Sequence, residues 1–150
     1  MTIEQVLNDM ARAWNAGDGA GWAAHFTEDA TFVDVVGRVQ AGRAVIAREH
    51  QNIFDTIYRG STLRIEQVGS QDLGGGLRLV HTATVLTVPA GPRAGETRAV
   101  QTKLFTDDQI MAFHNTIQID GAAFAGHDKE LAARKPQGWS GSGDGAGDAE

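Results

Sequence analysis

The chain has 150 residues, no Cys, 13 Lys+Arg against 19 Asp+Glu, and a formal net charge of −6. That length fits one domain with a sizeable core, and the missing cysteines exclude disulfides, thiolate metal sites and thiol catalysis. The acidic balance argues against a nucleic-acid surface, no apolar run reaches the ~18 residues of a membrane span, and the start lacks the order of a signal peptide, so a cytoplasmic protein is expected.

Thr2-Ile3-Glu4-Gln5 is a capping box, and Ile3, Val6, Leu7, Met10 and Trp14 follow at helical spacing. Gly17 ends that helix, and Asp18 can cap a short second one carrying Trp22 and Phe26. Thr27-Glu28-Asp29 turns the chain into ATFVDVVG, a strand rich in β-branched residues. Gly37 and Gly42 bracket a short return, and a third helix places Ile46, His50, Ile53, Phe54 and Ile57 on one side. After Gly60 the pattern switches to strands over 61–70, 77–88, 97–106 and 109–119. Turns at 72–76 and Asp107-Asp108 and a loop from Pro89 to Gly95 separate them. Helices followed by an antiparallel meander give an α+β fold with helices on one face of a bent sheet. The expected folded domain is 1–137. Residues 138–150, GWSGSGDGAGDAE, are too poor in apolar residues to order themselves and read as a flexible tail.

Asp34 lies within an apolar strand on the parity of Phe32 and Val36. A carboxylate there serves a pocket, faces solvent, or accepts bonds from a neighbouring turn. His50 falls on the apolar side of the third helix, as a pocket residue or a satisfied core histidine. His81 sits mid-strand, where the inner parity would line a cavity, and Gln101 interrupts AVQTKLF. Of His114 and Asn115, one faces inward and the other outward. Together these polar positions fit a small-molecule pocket, with Trp14, Trp22, Phe32, Tyr58 and Phe113 as apolar walls or core. No HExxH, GxSxG or GxGxxG spacing is present, so neither a metal nor a cofactor is expected.

The segment AWNAGDGAGWAAHFTEDATFVDVVGR resembles the opening of the cone-shaped superfamily related to nuclear transport factor two, which includes SnoaL-like polyketide cyclases and ketosteroid isomerase. IYRGSTLR, VPAGPRAGETRAVQT and AFHNT resemble its narrower SgcJ/EcaC type, which accompanies enediyne polyketide synthases. The resemblance spans residues 3–119. It implies a bent sheet wrapped around helices, a deep cavity, a homodimer, and a polyketide-like (polyene) ligand. A polyketide synthase or thioesterase is the protein partner it implies. Asp34 sits where the isomerase has its aspartate base, with His50 and His81 as orienting or polarising groups. The isomerase tyrosine is replaced by Met10 and its protonated aspartate by Gln101, so steroid isomerisation is not expected. Two roles follow: proton transfer by Asp34, or non-catalytic sheltering of a polyene beside its synthase.

Overall fold

The computed structural model describes residues 1–124, so the expected tail at 138–150 and the end of the expected domain lie outside the described residues. Helix α1 (Ile3–Asn15) begins on the capping box: Gln5 N donates to Thr2 Oγ1 at 3.1 Å and Thr2 N to Gln5 Oε1 at 2.9 Å. Its apolar stripe buries Val6, Leu7, Met10, Ala13 and Trp14. Asp18 caps α2 (Gly19–Ala23) by accepting from Gly21 N at 2.9 Å. Gly19 allows α2 to touch the third helix, since a Cβ there would stand 2.7 Å from the Ala47 carbonyl oxygen.

Strands β1 (Phe26–Val33) and β2 (Val39–Ala41) form a hairpin, and α3 (Arg43–Phe54) follows. The meander is β3 (Thr62–Gly74), β4 (Leu77–Val88), β5 (Gly95–Thr106) and β6 (Gln109–Ile117), with a final turn of helix, α4 (Gly121–Phe124). The sheet order is β2-β1-β6-β5-β4-β3. Its pairs are antiparallel except β1 with β6, which corrects the wholly antiparallel expectation. Parallel neighbours need a long connection, and α3 with the β3–β5 meander supplies it. Register shifts in β3 and between Leu104 and Phe105 mark bulges, which bend strands and raise their twist.

Two boundaries matter for the site. Phe26 already pairs with Ile110, so 27–29 belongs to β1 rather than to a turn before it. At its other end β1 stops at Val33, and Asp34 opens the turn to β2, with Asp34 N donating to Arg38 O and Gly37 N to Asp34 O, each at 2.9 Å. The core lies between helices and sheet. Trp14 is its hinge: its ring centroid is 5.3 Å from Trp22 and 4.7 Å from Phe54, and its Nε1 donates to Ser61 Oγ at 2.9 Å. Asn15 Oδ1 accepts from Leu63 N at 2.7 Å, tying the end of α1 to the start of β3. Among the described residues, no helix is long and apolar enough to cross a membrane.

Candidate functional site

A cavity of about 310 Å³ opens between the helices and the curved sheet. Residues two apart on a strand share a face, so the sheet contributes sets: Thr84 and Leu86 from β4, Ala99, Gln101 and Lys103 from β5, and Phe113, Asn115 and Ile117 from β6. Trp14, Trp22, His50, Ile53 and Tyr58 close the helical side. The inner end is formed by buried residues, including Trp22, His50, Lys103 and Phe113. The rim carries the 71% exposed Val36, together with Arg38 and Arg93.

Strand register decides which polar groups meet. Thr82 pairs with Gln101 and Gln101 with Asn115, so three polar side chains lie in one row across the sheet. Thr82 Oγ1 donates to Gln101 Oε1 at 2.6 Å, while Gln101 Nε2 donates to Thr84 Oγ1 at 2.8 Å and to Asn115 Oδ1 at 3.0 Å. Both amide protons of Gln101 are therefore engaged within the row, which leaves neither for an oxyanion. Val80, Lys103 and Phe113 form the next row, and Phe32 extends it.

Lys103 is the residue that the sequence patterning did not single out. It is 1% exposed, donates from Nζ to Thr82 Oγ1, and holds Nζ 4.5 Å from the centre of the Phe113 ring. Among the described residues it has no carboxylate within 4.0 Å. Burial lowers its pKa to about 7. The signal was present in the alternation Ala99, Gln101, Lys103, Phe105, which puts the only lysine of residues 1–124 on an inward face.

His50 is 3% exposed and stacks on Trp22 at 5.3 Å, with Phe32 edge-on at 4.8 Å. Its Nδ1 donates to Ile46 O at 2.8 Å. Burial lowers its pKa to about 4, outweighing the Ile46 bond and the nearby Asp34 charge, so at neutral pH the ring is uncharged and Nε2 carries the lone pair. Two further buried atoms on lining residues, Trp22 Nε1 and Gln40 Oε1, have no hydrogen-bond partner among the described residues.

Asp34 reaches the cavity from its turn. Oδ1 accepts from Val36 N at 3.0 Å and Arg38 N at 2.9 Å, and Oδ2 from Arg38 Nε at 2.8 Å. Partial burial opposes its ionisation, but the Arg38 and Val36 bonds prevail and hold the carboxyl below its ordinary value. Both oxygens are committed to the turn, which weakens Asp34 as a base.

The structure thus gathers Trp14, Trp22, Phe32, Asp34, His50, Tyr58, Gln101, Phe113 and Asn115 around one cavity. His81 and His114 are not part of it. The inward set of β4 is Thr82, Thr84 and Leu86, so His81 points to the other face, where its Nδ1 shares a hydrogen bond with Thr102 Oγ1 at 3.2 Å. On β6 the inward set is Phe113, Asn115 and Ile117, which leaves His114 exposed on the opposite face. Met10, where the isomerase tyrosine would stand, is fully buried in the core and does not line the cavity.

The fold and sequence have relatives. A domain of unknown function with a cystatin-like fold from Nostoc punctiforme is 27% identical, covering 85% of this chain and 82% of that one, with a TM-score of 0.71. An uncharacterised cystatin-like protein from Caulobacter vibrioides is 23% identical over 86% and 94% of the two chains, with a TM-score of 0.69. A ketosteroid isomerase-like protein from Erwinia carotovora is 16% identical over 78% and 94%, with a TM-score of 0.63. No curated protein matches the sequence significantly. The model of the SnoaL-like domain matches residues 7–113, which include both halves of the cavity wall, and the chain belongs to that family.

Proposed function

We propose that the protein binds a largely apolar, conjugated small molecule of polyketide type within the cone and shelters it, without using Asp34 as a general base. The observation that carries this reading is the cavity itself: aromatic and aliphatic walls around a few placed polar groups, which is the usual form of a small-molecule site. The unpartnered Trp22 Nε1 and Gln40 Oε1 fit a ligand that brings its own acceptor and donor. The segments resembling the SgcJ/EcaC type favour an enediyne polyene as the ligand, and a polyketide synthase or thioesterase as the protein it works beside. They also favour a homodimer, which sedimentation at working concentration tests.

Asp34 favours sheltering over turnover, because its carboxylate is spent on its own turn and on Arg38. Trp14 and Trp22 line the cavity and serve as intrinsic reporters. Titration with a conjugated polyene is expected to quench their fluorescence saturably, equally in wild type and Asp34→Asn. Absence of saturable quenching in the wild type defeats the reading. Quenching retained in Asp34→Asn, with loss of product from the cognate synthase, restores the general base.

A further inference from the structure

We propose that the Lys103 amine condenses with an aldehyde or ketone of the ligand in the cone, forming an imine and releasing water. The inference rests on the reading of the cone as a small-molecule site and adds the reactive group that the ligand would carry.

A lysine that only supports a fold keeps its head in water or against an acid. Lys103 does neither: it is 1% exposed and has no carboxylate within 4.0 Å among the described residues. Its row across the sheet is Val80, Phe113 and Phe32, all apolar. Its one polar contact among the described residues is the Thr82 hydroxyl, which donates its own hydrogen bond to Gln101. A desolvated amine in such surroundings keeps its electron pair near neutral pH, as its lowered pKa of about 7 indicates, and becomes nucleophilic toward carbonyls.

The balance is simple. The nitrogen attacks the carbonyl carbon, a C–N bond forms, and a nitrogen proton moves to the carbonyl oxygen to give a carbinolamine. The C–O bond then breaks, the hydroxyl leaves as water with the second proton of the nitrogen, and C=N remains. Nothing is oxidised or reduced, and hydrolysis returns ligand and amine. A carboxylate fits this end of the cavity less well. Holding it would require the amine to take up a proton that its apolar surroundings disfavour, whereas the neutral amine attacks a carbonyl directly.

The test treats the full chain with cinnamaldehyde and sodium cyanoborohydride, which reduces an imine to a stable secondary amine. Intact mass and peptide mapping then locate the adduct. Lys129 and Lys135 are the only other lysines, so they and the N-terminal amine are the internal comparison. The expected result is labelling at Lys103 at least about tenfold faster than at Lys129 or Lys135, since at pH 7 an amine of lowered pKa is far more often neutral than an ordinary one. Lys103→Met should fold, because its surroundings are apolar. It should lose that adduct while the N-terminal amine, Lys129 and Lys135 are still labelled. Quenching of wild type without an adduct at Lys103 overturns the imine and leaves the pocket reading standing. Equal quenching by cinnamic acid with no such adduct also overturns it, making Lys103 a counter-ion. Neither quenching nor adduct defeats both readings.

Discussion

At the rim of the cavity Asp34 meets Arg38 at 2.8 Å and two backbone amides, and the Arg38 side chain is 72% exposed. At the inner end Lys103 has a hydroxyl and an aromatic face, and His50 is kept neutral. The rim satisfies its charge within the protein and in water. The inner end removes water and leaves an amine without an acid among the described residues. Stability and reactivity are therefore separated in space: changes at the rim should be mild, and changes deep in the cavity should alter stability, chemistry or both.

The largest contrast is expected between Trp14→Ala and Val36→Ala. Trp14 is 8% exposed, touches Trp22, Phe54 and Tyr58, and holds Ser61, so its truncation should remove about 3–5 kcal/mol in urea unfolding. Val36 is 71% exposed, and its truncation should change stability by no more than about 0.5 kcal/mol. Equal effects would erase the distinction between the two ends.

Lys103→Met should raise Tm at neutral pH, by about 2–4 °C for each ~1 kcal/mol gained in a domain of this size. The sign follows from proton uptake. The unfolded chain keeps Lys103 protonated up to its ordinary value of 10.5, and the folded chain only up to about 7. Unfolding between those values takes up a proton, so stability falls as pH drops from about 10.5 to about 7, and no more is lost from this group below that. Melting curves across that window should lose this slope in Lys103→Met. An unchanged slope would mean that the amine is not desolvated in the folded protein.

Gln101→Leu is expected to be destabilising by about 1–3 kcal/mol, because it strips partners from Thr82, Thr84 and Asn115 together. A neutral result would show that the row is not a connected network. A smaller loss is expected for Asp34→Asn, at about 0.2–1 kcal/mol, since an amide oxygen can still accept from the turn and a half-exposed ion pair is weak. A loss beyond that range in chemical denaturation would place the rim among the structural determinants.

The helices were legible because capping and periodicity are local. Thr2 with Gln5, Asp18 with Gly21 and the stripe from Val6 to Trp14 need no distant partner to be recognised. Strand facing was less legible. In HTATVLTV both parities mix polar and apolar residues, so parity alone allows His81 on the cavity face that Thr82 and Thr84 hold. On β6, sequence restricted the choice to His114 or Asn115, and the packing of Phe113 into the core selected Asn115. Asp34 stands out in the sequence as a carboxylate within an apolar strand, but the turn that consumes it is formed with Arg38, a partner that strand parity does not reveal.

The sequence by itself determined the α+β order, the three helices before the meander, the turns at Gly75-Gly76 and Asp107-Asp108, and the aromatic set that walls the cavity. Tertiary structure decided the parallel meeting of β1 with β6, the outward facing of His81 and His114, and the burial of Lys103 with no acid beside it among the described residues. The physical reason is range. Caps, turns and helical stripes are set within a few residues, whereas the surroundings of a buried amine are defined by strands far apart in the chain.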